Sequence, residues 1–168
     1  MKIRLLFLFL PLLLATACKK DSDEGSAQPD VYVRAVIDGQ KFSVGPVPGP
    51  NSTTGSYALF SQDENKLFIY GTGPTIYLAL TVTNFPKQAG TYPLGDANQN
   101  NVGAYTDATN PNNSIIYLTQ NGRTGSLTVT SFDGKTMIGT FSYTAYNSQQ
   151  NKEVQVLNGE FKVPYTEF

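Results

Sequence analysis

The chain has 168 residues, 12 of them basic and 13 acidic, for a formal net charge of −1. That length suggests one domain, and so balanced a charge gives nucleic acid no basic patch to bind. Histidine and tryptophan are absent and there is one cysteine, which excludes Ser-His-Asp and Cys-His nucleophilic centres and zinc sites built on Cys or His. Ten Tyr, ten Phe, 15 Gly and 10 Pro, with no cluster of helix formers beyond the first segment, favour strands and tight turns.

Lys2 and Arg4 precede an apolar run from Leu5 to Leu14 that contains Pro11. A spanning helix needs about 20 apolar residues, so the run is too short and residues 1–17 read as a signal peptide. The stretch "ATAC", Ala15 to Cys18, admits two readings. One is ordinary cleavage after the small pair Ala15 and Ala17, leaving Cys18 free. The other is lipidation: the stretch resembles the bacterial lipoprotein cleavage site, with Ala17 directly before the acceptor Cys18. It departs from the usual pattern by placing leucine at Leu14 rather than at position 15. Acylation, as by palmitate, removes a thiol that would be a liability in an oxidising compartment. It also supplies about 0.8 kcal/mol per buried CH₂ as a membrane anchor. Loss of Lys2 and Arg4 leaves 12 − 2 = 10 basic residues against 13 acidic, a net charge of −3.

The next residues, "KKDSDEG", resemble the lipoprotein export signal of Bacteroidota, in which Lys and then Asp/Glu follow the lipidated cysteine. Lys19, Lys20, Asp21, Asp23 and Glu24 carry the resemblance and Ser22 interrupts it. The alternative is a solvated tether, since charged linkers self-repel. Residues 18–30 hold no apolar anchor and should stay flexible, spanning roughly 20 Å as a coil. The expected location is the outer membrane, lipid-anchored at the cell surface, with the periplasmic face as the alternative.

From Val31 to Phe168 the period is two. "VYVRAVI" places Val31, Val33, Ala35 and Ile37 on one face, "DGQ" signals a hairpin, and "KFSV" returns. "SYALFSQ", "KLFIYG" and "IYLALTVT" follow; in the last, Ile76, Leu78, Leu80 and Val82 share one side and Tyr77, Ala79, Thr81 and Thr83 the other. Then come "NVGAYTD", "SIIYLTQ", and the clearest hairpin, "SLTVTSF" and "MIGTFSYTAY" around Asp133-Gly134. "EVQVL" and "EFKVPY" close the chain, separated by a predicted turn at "VLNG". No segment sustains a 3.6 period, so helix should be minimal. The expected fold is all-β, an antiparallel β-sandwich of about ten short strands, with a β-barrel as the alternative.

Two stretches read as irregular: Gly45 to Gly55, rich in Pro and Gly, and the polar Asn84 to Gly103. Binding function concentrates on loops. Within and beside the second stretch, Asp96, Asn98, Asn100 and Asp107 fall at positions one, three, five and twelve of a calcium-like loop. Position six is Asn101 rather than glycine and the twelfth ligand is Asp rather than Glu; an Asx-rich turn is the competing reading. Tyr92, Tyr105 and Tyr117 lie nearby as candidates for stacking on a glycan. Asp63, Glu64, Asp107, Asp133, Glu153 and Glu160 could in principle supply a carboxylate pair, but most sit beside predicted turns.

"AVIDGQKFS", "GTYPLG", "GSLTVTSFDGKTMIGTFSYTAYN" and "VLNGEFKVPY" resemble, in that order, a group of uncharacterised small lipoproteins of the Bacteroidota grouped as a domain of unknown function. The resemblance runs from about Ala35 to Tyr165 and implies a secreted, lipid-anchored β domain; it brings no functional residues. The expectation is a non-enzymatic lipoprotein that needs no cofactor and binds a glycan or protein partner or serves the envelope. A small carboxylate-based hydrolase and a calcium-stabilised adhesive module are the alternatives.

Overall fold

The alternating pattern folds as strands throughout. A computed structural model describes residues 30–49, 52–95 and 100–168, and among them there is no helix. The chain runs through β1 (Tyr32–Ile37), β2 (Gln40–Val44), β3 (Gly55–Ser61), β4 (Lys66–Thr72), β5 (Ile76–Thr83) and β6 (Gly90–Gly95). It continues through β7 (Val102–Asp107), β8 (Ile115–Leu118), β9 (Thr124–Phe132), β10 (Thr136–Asn147) and β11 (Lys152–Glu167).

Local chemistry sets the turns. Asp38 (φ 46°) and Gly39 (φ 83°) take the left-handed conformations that a two-residue hairpin between β1 and β2 requires. Between β9 and β10, an Asp133 carboxylate oxygen accepts from the backbone amides of Lys135 at 2.8 Å and Thr136 at 2.7 Å. Alternation then buries Val33, Ala35 and Ile37 of β1 and Leu78, Leu80 and Val82 of β5, as their spacing predicts.

All eleven strands join one hydrogen-bonded sheet in the order β2-β1-β11-β3-β4-β5-β7-β8-β10-β9-β6, with β10 also paired to β11. The sheet folds over into two facing layers. One layer holds β2, β1, β11, β10, β9 and β6; the other holds β3, β4, β5, β7 and β8. They meet at strand ends, where Tyr165–Glu167 pair with Ala58–Phe60 and Tyr146 pairs with Leu118. Between the layers, a Cβ added to Gly71 of β4 would lie 2.6 Å from a Val33 methyl of β1. The Tyr143 hydroxyl of β10 donates across the gap to the Ala104 carbonyl of β7 at 2.7 Å.

Three features differ from the sequence reading. The sheet is mixed rather than purely antiparallel, because β11 outruns β1 and its free edge beyond Lys162 pairs in parallel with β3. "VLNG" is a bulge inside β11 rather than a turn, so two expected short strands are one of 16 residues. The strand β6 lies inside the stretch read as irregular; its Pro93 is tolerated because β6 is an edge strand that pairs only with β9. Residues 45–49 and 52–54 carry no strand, as expected.

Gly71→Ala is expected to destabilise the domain by about 1–3 kcal/mol, because the added methyl overpacks the contact between β1 and β4. Denaturant unfolding checks this, and an unchanged midpoint would mean that the two strands do not pack as described.

Candidate functional site

The strands of the second layer are apolar on both faces. In β3 and β4, Ala58, Phe60, Leu67 and Ile69 are buried between the layers. Alternation therefore turns Tyr57, Leu59, Phe68 and Tyr70 outward. In β5, β7 and β8 the same rule turns out Tyr77, Ala79, Thr81, Ala104, Thr106, Ile116 and Leu118, since Leu78, Leu80, Tyr105 and Tyr117 are buried.

Register assembles these residues into rows, because residues directly opposite share a face. The central row runs Tyr57, Tyr70, Ala79, Ala104, Leu118. A second runs Leu59, Phe68, Thr81, Val102, and a third Thr72, Tyr77, Thr106, Ile116. No charged residue stands in any of the three. The Phe68 and Tyr70 rings are nearly parallel, 6.2 Å apart with an interplanar angle of 11°, and Tyr57 lies 5.1 Å from Tyr70. Beside this aromatic platform, Ala79 and Ala104 form a low floor between β4 and β8, three strand spacings or roughly 14 Å across. The Tyr70 phenol is pushed above its ordinary pKa, first by burial and then by Tyr57, so it remains a neutral donor near neutral pH.

The acids do something different. Glu160 pairs with Arg34, Glu64 with Lys66, Glu153 with Arg123, and Glu167 with Lys87. Asp107, Asp133 and Glu167 are all held below the usual carboxylate range. The hydroxyl and amide of Thr109 do this for Asp107, the amides of Thr136 and Lys135 for Asp133, and Lys87 with the Tyr165 hydroxyl for Glu167. A general acid needs the opposite shift.

The tyrosines singled out in the sequence point into the core. Tyr105 and Tyr117, 8% and 4% exposed, pack on each other at 5.5 Å. Tyr92 meets Phe85 edge-on at 5.4 Å, and its hydroxyl donates to the Gln88 carbonyl at 2.7 Å. The aromatic residues on the outward parity of the second layer are instead Tyr57, Phe68, Tyr70 and Tyr77. The signal for these four was legible: "YALF", "LFIY" and "IYLAL" carry large apolar residues at both parities, and a two-layer sandwich leaves one parity outside.

Of the calcium-like set, the two described members stand apart. Asp96 and Asn98 lie outside the described residues. Asn100 precedes β7 and Asp107 ends it, so seven residues of nearly extended chain separate them by roughly 20 Å, and Asp107 accepts from the Thr109 amide at 2.9 Å. Among the described residues no group of three or more acids could hold a metal. Cys18, Lys19, Lys20, Asp21, Asp23 and Glu24 also lie outside the described residues.

Comparison with known families gives a match between residues 52–164 and a family described as "Domain of unknown function (DUF6252)". No curated protein and no solved structure matches the chain. The matched segment runs from β3 through β10 and into β11 as far as Pro164, so it contains the whole aromatic face. Thermal unfolding should give the same midpoint in millimolar calcium as in EDTA. A higher midpoint in calcium would restore the metal loop.

Proposed function

The chain belongs to the family described as "Domain of unknown function (DUF6252)", and we propose that it is a non-enzymatic, lipid-anchored binding protein that takes a neutral glycan on the aromatic face of its second layer. The observation that carries this reading is the near-parallel Phe68–Tyr70 pair on a face whose three rows hold no charge. A sugar ring presents apolar C–H surface on its faces and hydroxyls at its edge. Aromatic rings cover the former, and tyrosine hydroxyls serve the latter. A flat apolar patch with a few polar atoms is the usual composition of a binding site. The downward shifts of Asp107, Asp133 and Glu167 favour binding over hydrolysis.

Anchoring rests on the sequence. "ATAC" offers Cys18 for acylation, and "KKDSDE" after it favours display at the outer surface of the outer membrane. A tether of residues 18–30 would hold the aromatic face away from the headgroups.

In affinity electrophoresis through gels containing neutral polysaccharides, the protein should be retarded by at least one of them. Tyr70→Ala should lose that retardation while keeping its unfolding free energy within about 1 kcal/mol of the native chain, since Tyr70 is outward-facing. Retardation unchanged in Tyr70→Ala would sink the reading. Separately, Cys18→Ala should move the protein from the membrane to the soluble fraction, and protease added to intact cells should digest the native form. A Cys18→Ala protein that stays membrane-bound would remove the anchor.

A further inference from the structure

At one rim of the aromatic face, the approach to β8 and the turn between β10 and β11 enclose a cleft of about 270 Å³. Asn147 builds it. Its side-chain amide donates to the Ile116 carbonyl at 2.7 Å while its side-chain oxygen accepts from the Gln150 backbone amide at 2.7 Å. These two bonds pin the turn to β8 and fix the orientation of the Asn147 side chain.

The remaining amides are uncommitted. Asn113, Gln120, Gln149 and Gln150 line the cleft, and among the described residues no side-chain hydrogen bond engages them. Each offers two N–H donors and one carbonyl acceptor, which suits hydroxyls that both give and receive. The lining contains no acid, lysine or arginine, so a charged ligand would lose its hydration there without gaining a counter-ion. A neutral polyol suffers no such loss.

Ile116 joins the cleft to the platform. It is 52% exposed, lines the cleft, and stands in the same row as Thr106 and Tyr77. Two strand spacings, about 10 Å, separate it from Tyr77. A chain lying across the aromatic rings would therefore run over Ile116 and end among the amides. We infer that this cleft is the selectivity subsite for a neutral glycan, reading the hydroxyl pattern of one sugar unit through Gln120, Gln149 and Gln150 while the rings supply sequence-tolerant stacking. The inference rests on the glycan reading of the aromatic face and adds the place where one neutral sugar is told from another. The hollows on the opposite layer do not compete: they flank the Arg34–Glu160 ion pair, whose charges already satisfy each other.

Isothermal titration of the full chain in detergent tests it. The probes are neutral hexasaccharides of glucose, mannose, xylose and N-acetylglucosamine, with oligogalacturonate as the acidic counterpart. The native chain should bind at least one neutral probe and prefer it to oligogalacturonate. Gln149→Ala/Gln150→Ala and Gln120→Ala should each weaken that probe about tenfold, the effect of one or two lost hydrogen bonds, and should narrow the differences among neutral probes. Tyr70→Ala should weaken all of them alike. The Gln150 contact to Asn147 is made by backbone, so the turn survives the alanine substitutions, and matched unfolding midpoints would confirm it. Binding lost in Tyr70→Ala but unchanged in both amide variants would overturn the subsite and leave the aromatic face standing. A preference for oligogalacturonate would overturn the neutral class, and no binding of any probe by the native chain would overturn both readings.

Discussion

The extra residue in β11 decides how the two layers close. On the β1 side, Arg34 faces Glu160 but Val36 faces Leu157. On the β10 side, Phe141 faces Gly159 but Tyr143 faces Val156. One more residue is accommodated in β11 than in either neighbour, with Asn158 at φ 51°, a conformation asparagine tolerates better than most residues. Before the bulge the buried residues are Val154 and Val156; after it they are Phe161, Val163 and Tyr165. The parity has changed. Without the bulge, a strict period of two would turn those last three side chains to solvent. With it, a single strand lines the core along its whole length, bends, and delivers its end to β3.

That corner in turn divides the aromatic residues between two uses. Buried Phe60, Phe85 and Tyr165 and half-buried Phe132 form a cluster where β11 meets β3, with Phe132 edge-on to Tyr165 at 4.7 Å and Phe60 6.3 Å from Tyr165. Lys87 spans its rim, over the Phe60 ring and paired with Glu167. This cluster closes the core at that end, apart from the half-buried outward aromatics of β3, β4 and β5. Outward-facing rings that burial does not require are the residues most available for a ligand.

Strand positions were legible because β-branched and aromatic residues alternate cleanly between turn signals; β5 coincides with "IYLALTVT". What failed was long-range. Asn158-Gly159 carries the same chemistry as a hairpin turn, and only the pairing of both neighbours shows that the chain goes straight on. The polar composition of Asn84 to Gly103 hid β6, and its edge position explains how that strand carries Pro93. Tyr105 and Tyr117 turn inward for a related reason: parity within the strand, and not nearness to a polar stretch, sets the direction of the ring. Tyr105 is inward for the same reason that Ala104 is outward.

The same geometry limits the chemistry of the domain. Most of its described acids sit at turns and strand ends, with Glu160 inside β11; Thr109 and turn amides favour the ionised Asp107 and Asp133, and cations pair with Glu64, Glu160 and Glu167. A carboxyl that must hold a proton near neutral pH needs desolvation or a like charge beside it, and the shifts resolved for these acids run the other way. The second layer presents groups of a different kind: neutral rings on its outer face and neutral amides at its rim. Both can be satisfied by a neighbour with hydroxyls and C–H faces. Recognition through many weak, uncharged contacts gains little from any one of them, so it favours a ligand long enough to cover the platform and reach the cleft together. A repeating sugar chain meets that requirement, whereas a single small solute would engage only one of the two.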